Sequence, residues 1–470
     1  MTAPRHPHTP SFAPTLARVG AIAFWLALWQ LASIAVSSEL ILAGPLDTAA
    51  ALVRLVPTAE FWGQAGFSAI RIVGGALAGY AVAFLLAGVA CRWQGVRTLL
   101  QPALSAIKGT PVACVVVLLL IWIGSRNVST VAVFLMVLPG VYFPVLTGLD
   151  ELDPRQCELF EVFGAGRLTN LLALVWPGIL PYVTAASGTV LGMSWKAGVA
   201  AELIGVPAGS IGERIYQAKL LLETADLFAW TIVVVLISWA FEQAVLAAMR
   251  ASWPLAGRAA LRIGRHSTSG SIDRPRASTG LCARDLVIGF DETPICVPIS
   301  FELPAGGILC LQAPSGTGKT TLLHTIAGLQ SPVSGNLKTP KWPVATVFQE
   351  TRLIEDLSAV ENVMIFSRGT TASDVKNLLT ELLPAEALTI PVRELSGGQR
   401  RRVELARAFA APADLILLDE PFAGLDRKAH DAACAFILHH RAGRSVVIAT
   451  HDASDKDRLR ASAITLQTSR

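Results

Sequence analysis

The chain has 470 residues, 52% of them hydrophobic and 16% charged, with a net charge of +4. A charged fraction so far below the roughly 25% of soluble domains excludes a chain that is soluble throughout. So slight a positive charge makes no electrostatic case for a nucleic-acid partner. Seven cysteines without a Cys-x-x-Cys pair argue against a disulfide framework and against a zinc site.

The apolar residues concentrate before about Trp253. A spanning helix needs about 20 mostly apolar residues. Six such stretches lie near Val19–Val36, Ser68–Cys91, Leu99–Ile123, Val128–Leu149, Pro181–Ile204 and Leu227–Met249. The first follows Arg5 and Arg18, as a signal peptide would. No small-residue cleavage site follows in "AVSSEL", and five further spans come after it, so it is read as a span. Arg92 and Arg97 follow the second span, Arg155 and Arg167 the fourth, and Arg250, Arg258, Arg262 and Arg265 the sixth. Those connections share one side, which is cytoplasmic if positive charge stays inside. Arg214 and Lys219 run weakly against the rule, mixed with Glu213, Glu223 and Asp226.

The connection "LDELDPRQCELFEVFGAGRLTNLLALVWPGILP" after the fourth span is helical in pattern and broken by Gly164 and Gly166. Its Glu158, Gly164, Ala165 and Pro177 resemble the EAA loop of permease subunits of binding-protein-dependent ABC importers. The two alanines of that motif are here Leu159 and Phe160. "GFSAIRIVGGALAGY", "QPALSAIKGTP" and "SWKAGVAAELIG" look like the nitrate/sulfonate/taurine branch of those permeases. The resemblance covers nearly all of residues 40–250, and it implies that loop 150–178 forms coupling helices seated on an ATPase. An intramembrane charge is costly and marks function by default. Lys196 lies mid-span among Gly, Ala and Ser, where it could attract an anionic solute. It could instead pair with Glu202 or Glu242, or snorkel. Lys108 lies nearer the cytoplasmic end and is assigned no substrate role.

Residues 255–280 are rich in Ser, Gly, Pro and Arg and read as a flexible linker. Beyond it, "APSGTGKTT" spans Ala313, Pro314, Ser315, Gly316, Thr317, Gly318, Lys319, Thr320 and Thr321. It carries the core of a phosphate-binding loop. Glycines let backbone N–H groups face phosphate oxygens, Lys319 adds charge, and Thr320 offers a hydroxyl to Mg²⁺. Ala313 stands where that loop opens with Gly; this matters only if its φ is positive. In "DLILLDEP" an apolar run fit for a buried parallel strand ends in Asp419, a candidate Mg²⁺ holder, and Glu420, a candidate to polarise water. "RSVVIATHD" is a second such strand ending in His451. Sites at strand carboxyl ends suit an open α/β sheet.

"ELSGGQRRRVELARAFA" contains Ser396, Gly397, Gly398 and Gln399 in the pentapeptide LSGGQ, which resembles the ABC ATPase signature. The three arginines after it read as a solvated helix face. The resemblance implies that Gln349 in "VFQE" is the Q-loop residue and a Mg²⁺ contact, Asp426 in "AGLD" the D-loop residue and His451 the switch histidine; Phe290, about 23 residues before Ala313, is either the aromatic that stacks on adenine or a core phenylalanine. The implied architecture is multi-domain: an all-α six-helix transmembrane permease (residues 1–254), a linker (255–280), and an α/β P-loop NTPase of the ABC type (281–470). ATP and Mg²⁺ are the implied cofactors. In this family the signature of one subunit completes the ATP site of another, so a second copy of the chain is the implied partner, along with a separate periplasmic binding protein and the bilayer. The implied location is the bacterial inner membrane, with the ATPase in the cytoplasm. The implied function is ATP-driven import of a small, anionic solute of the nitrate/sulfonate/taurine kind. The alternative is a half-transporter exporting an amphipathic compound, because membrane-then-ATPase order also occurs there.

Overall fold

A computed structural model describes residues 13–38, 40–266, 280–290, 293–314, 316–339 and 344–467. It divides into two compact units. One comprises residues 1–151 and 179–251, the other residues 152–178 and 252–470.

The first unit is helical: α1 (Ala13–Val36), α2 (Pro45–Leu55), α3 (Ala59–Arg92), α4 (Gln94–Gly109), α5 (Val112–Ile123) and α6 (Val128–Asp150). Five helices among the described residues are long and apolar enough to cross a membrane, or six if α4 and α5 count as one broken span. That pair departs from the expected third span, Leu99–Ile123. It bends by 104°. Thr110 precedes Pro111 and is held extended (φ −81°, ψ 131°), as the ring of a following proline requires. Alone, the twelve residues of α5 rise about 18 Å, less than a hydrocarbon core of about 30 Å.

Small residues bring α3 against α6. Gly75 and Gly79 are buried one turn apart, and a Cβ on Gly75 would lie 2.3 Å from the Thr130 carbonyl oxygen. This is the small-xxx-small packing of membrane helices, which gains van der Waals contact by backbone approach.

Further along the chain come α7 (Pro154–Val162), α8 (Arg167–Asn170) with a π turn (Leu171–Val175), α9 (Trp176–Gly205), α10 (Ile211–Leu220) and α11 (Thr224–His266). Glu202 in α9 is fully buried. It accepts hydrogen bonds from Ser68 Oγ (2.6 Å) and from Gly212 N (3.4 Å) in the first turn of α10. The expected linker at 255–280 is corrected at its start. Helix α11 runs through Pro254 to His266, because Leu255–Leu261 is rich in Ala and Leu and the Ser/Gly-rich stretch begins only at Ser267. Residues 267–279 lie outside those described.

The second unit is α/β. Its strands are β1 (Leu281–Val287), β2 (Gly289–Phe290), β3 (Thr293–Pro294), β4 (Ile299–Leu303), β5 (Ile308–Gln312), β6 (Ser334–Lys338), β7 (Val344–Val347), β8 (Leu415–Asp419), β9 (Ser445–Ala449) and β10 (Ser462–Thr465). Its helices are α12 (Lys319–Ala327), α13 (Ala359–Met364), α14 (Ala372–Thr380), α15 (Gly397–Ala410), α16 (Arg427–His440) and α17 (Asp455–Arg458). Five parallel strands order as β10-β5-β9-β8-β7, beside an antiparallel sheet β4-β1-β6. Strands β8 and β9 are buried along their whole length, which is why both read as unbroken apolar runs.

Loop 152–178 belongs to this second unit. Leu159 and Phe160 are 0% and 1% exposed and join its core. The rings of Phe160 and Phe163 lie 5.0 and 4.8 Å from that of Phe366. Two large side chains at these positions, in place of alanines, therefore fill an apolar socket.

Gly75→Ala should loosen the α3–α6 pair. A drop in stability of about 1–3 kcal/mol is expected from overpacking. Thermal unfolding of the purified protein in detergent checks it.

Candidate nucleotide site

Strand order decides what meets here. The carboxyl ends of β5, β7, β8 and β9 lie side by side, so the segments after them converge. They frame a cleft of about 340 Å³ lined by Phe290, Ile295, Gly316, Gly318, Lys319, Thr320, Thr321, Gln349, Glu420 and His451. Gly316 and Gly318 hold φ of +82° and +93°, where a side chain is strained, and Gly318 is the N-cap of α12. Ala313 is not among the residues with positive φ, so the missing glycine costs no strain. Its carbonyl accepts from Lys319 Nζ at 2.6 Å, and that of Pro314 accepts at 3.3 Å. Thr317 Oγ1 donates to the Pro314 carbonyl (2.8 Å). Ser315 lies outside the described residues. Phe290 is 59% exposed at the rim of the cleft, not in the core.

Thr320 Oγ1 donates to Asp419 Oδ2 (2.7 Å) and lies 3.4 Å from Gln349 Oε1. A hydroxyl, a carboxylate and an amide carbonyl make a set of hard oxygen donors, which suits Mg²⁺. Burial, above all, raises the Asp419 carboxyl above its usual range. Neighbouring Glu420 adds to this, while the Thr320 hydrogen bond opposes it. A raised carboxyl stabilises the fold fully below its unfolded pKa and loses that contribution as pH rises through the folded value. A cation bound beside it would offset the burial that disfavours the charged carboxylate.

Glu420 follows β8 with φ +49°, rare for a residue with a side chain. Its N–H donates to the Ala449 carbonyl (2.9 Å). Its carboxylate Oε1 is 2.5 Å from His451 Nε2, and His451 Nδ1 is 3.4 Å from Lys319 Nζ. An ammonium can only donate, so Nδ1 is the acceptor and Nε2 carries the proton toward Glu420. A carboxylate, an imidazole and a lysine are thus aligned in one line of polar contacts.

Ser396 to Gln399 do not line this cleft. Ser396 caps α15: its Oγ accepts from Gln399 N (3.3 Å), and Gln399 Oε1 accepts from Ser396 N (2.9 Å). Nothing within 4 Å would meet a Cβ on Gly397, whereas one on Gly398 would come within 3.1 Å of the Gly424 carbonyl oxygen. Asp426 caps α16, accepting from Ala429 N (2.7 Å), and is also outside the cleft. Glu158 accepts from Arg352 Nη1 at 2.6 Å. Gly164 has φ +60° and its carbonyl accepts from Arg368, while Ala165 N donates to the Phe160 carbonyl (2.9 Å). Lys196 is exposed on α9, and among the described residues no carboxylate forms an ion pair with it.

Two family models match the sequence. Residues 75–252 match "Binding-protein-dependent transport system inner membrane component", and residues 296–423 match "ABC transporter". A cytochrome c biogenesis ATP-binding export protein of Roseobacter denitrificans is 36% identical over 168 residues, 36% of this chain and 82% of that protein. The chain belongs to the ABC transporter family. It carries a permease segment and an ATP-binding segment in one polypeptide. An aliphatic sulfonates import ATP-binding protein of Paracoccus denitrificans is 33% identical over 188 residues, 38% of this chain and 75% of that protein. A sulfate/thiosulfate import ATP-binding protein of Rhizobium meliloti is 34% identical over 185 residues, 35% of this chain. The chain spans 50% of that relative's length.

One expectation for this ABC ATPase is corrected. The arginines after the signature do not form a solvated face: Arg401 is 3% exposed. Consecutive helical residues point about 100° apart, so three cannot share a face. Arg401 donates to the carbonyls of Phe348, Asp419 and Glu420 and pairs with buried Glu404 (3.0 Å). It pins the unusual backbone of Glu420. The signal in the sequence was Arg401, Glu404 and Arg407 at helical spacing along the apolar stripe of α15.

Glu420→Gln should cut turnover by about 10²–10⁴, the usual contribution of a general base. ATP binding should be kept. Phosphate release beside equilibrium nucleotide binding reads both.

Proposed function

We propose that this ABC transporter imports a small anionic solute across a bacterial inner membrane, driven by ATP hydrolysis in the cytoplasm. The observation that carries the proposal is the join between permease loop and ATPase core. Glu158 of a loop that resembles the EAA coupling loop pairs with Arg352, three residues beyond Gln349. Import is further favoured by the match of residues 75–252 to the inner-membrane component of binding-protein-dependent systems. The ATP-binding relatives are named for import and for export alike, so the permease half decides direction.

Two copies of the chain would work together. Lys319, Thr320 and Gln349 of one would face Ser396 to Gln399 of the other across ATP. The open space over Gly397 fits a ligand brought by a second copy. Thr320, Asp419 and Gln349 would hold Mg²⁺, which supplies charge neutralisation at the phosphates. Glu420 would orient the attacking water, and His451 would hold Glu420 in place.

A separate periplasmic binding protein would deliver the solute. Lys196 supports an anion: it stands on the exposed stripe of α9 with Thr189, Met193 and Ala200, and bare charge there is costly unless a path or partner covers it. Glu202, one possible counter-charge, is fully buried and accepts from Ser68 and Gly212 at Oε2, while no ion pair joins it to Lys196. Sulfate, thiosulfate and sulfonates, named for two of the import relatives, are anions, whereas thiamine, named for a third, is a cation, so the anionic reading rests on Lys196.

The test is ATPase rate in lipid nanodiscs with periplasmic extract and a panel of nitrate, sulfate, sulfonates and taurine. Stimulation by extract plus one anion is expected, and Lys196→Leu should lose it while basal hydrolysis stays. A rate deaf to extract but raised by lipophilic compounds would overturn import. Unchanged stimulation in Lys196→Leu would overturn the anion role.

A further inference from the structure

Behind the nucleotide cleft, three metal-ligating side chains meet. His430 and Cys434 stand four residues apart on α16 and share one face of that helix. Asp455 is the first residue of α17, which follows β9. Their ligand atoms, the imidazole nitrogen, Sγ and a carboxylate oxygen, all lie within 4.8 Å of one another. Asp455 is 0% exposed and Cys434 5%.

His430 and Asp455 form a buried ion pair beside the Cys434 thiol. His430 Nε2 lies 2.8 Å from Asp455 Oδ1, yet neither atom makes an aligned hydrogen bond to any group. Buried polar atoms are nearly always satisfied, so two orphans facing each other across a thiol call for a cause. The other carboxylate oxygen is fixed: Asp455 Oδ2 accepts from Thr450 Oγ1 at 2.5 Å. The His430 ring is held against Phe422, centroids 4.3 Å apart. Two of the three ligands are thus oriented from behind, as supporting residues orient the ligands of a metal.

We propose that His430, Cys434 and Asp455 form a binding site for a zinc-class divalent cation. One nitrogen, one sulfur and one oxygen suit Zn²⁺ and exclude Mg²⁺, which wants oxygens alone. Three protein ligands leave a fourth position for water. Tetrahedral zinc holds its ligands roughly 3.3–3.8 Å apart, so closure requires movements of about 1 Å. The cysteine pattern gave no sign of this site, because only one ligand is a cysteine and the third lies 21 residues beyond it in the chain.

Its place in the fold gives the site a consequence. Asp426 is the N-cap of α16, and Thr450 immediately precedes His451. A cation bound here ties the helix behind Asp426 to the loop that carries His451. It therefore acts as a clamp on the ATPase, slowing the rearrangement that each hydrolytic cycle requires.

The experiment uses the full chain in nanodiscs, titrated with Co²⁺ for spectroscopy and Zn²⁺ for activity. Wild type should give a thiolate-to-cobalt charge-transfer band at one equivalent, and zinc should lower its ATPase about tenfold, a barrier change of about 1.4 kcal/mol. Cys434→Ser, which keeps the packing of the thiol, should lose the band and the zinc response at unchanged basal rate. His430→Gln, at a side chain only 15% exposed, should weaken both. A band absent from wild type, or equal zinc inhibition in wild type and Cys434→Ser, would overturn the proposal.

Discussion

One buried guanidinium organises the second unit. Arg352 is 7% exposed and lies flat over the Phe348 ring, 3.6 Å from its centroid. Its side chain donates to Glu158 (2.6 Å) and to the Arg155 carbonyl (3.2 Å). Its own N–H donates to Glu404 (2.7 Å), and its carbonyl accepts from Arg407 (2.6 Å). A charge so far from water needs a counter-charge, and Glu158 supplies it. The segment carrying Gln349 and the loop carrying Glu158 are therefore held as one piece.

The charges of α15 continue this network toward the chemistry. Glu404 and Arg407 are fully buried, and Arg401 nearly so. Burial lowers the Arg407 guanidinium to about 10, still charged at neutral pH, with Glu404 opposing the fall. Arg401 relays the network to the carbonyls of Asp419 and Glu420, so the strained backbone at Glu420 is over-determined by its surroundings. Motion of the Glu158 loop and the posture of Glu420 thus share one set of buried ions. That is how a permease loop would reach the hydrolytic residues in the import cycle proposed above.

The parts of the chain legible from sequence are those whose chemistry is local. A phosphate loop needs glycines at fixed offsets, and Gly316 and Gly318 take the backbone that only glycine takes freely. Buried parallel strands need unbroken apolar runs, so "LILLD" and "SVVIA" declare themselves. What stayed hidden depends on tertiary surroundings. Arg401 looks like any arginine until the carbonyls around it are placed. Leu159 and Phe160 look like a damaged motif until Phe366 is seen across from them. The break at Pro111 leaves no trace in mean hydropathy, which ignores the backbone rule at the residue before proline. His430, Cys434 and Asp455 are scattered in sequence and meet only in space.

Loop 152–178 and the ATPase core fold as one piece through the Glu158–Arg352 pair. A double-mutant cycle on thermal unfolding of the full chain in nanodiscs tests it most directly, with Glu158→Gln, Arg352→Met and both together. The two effects should be non-additive by about 1 kcal/mol or more, with the double variant more stable than the sum of the singles allows. Effects that add to within about 0.3–0.5 kcal/mol would contradict the account.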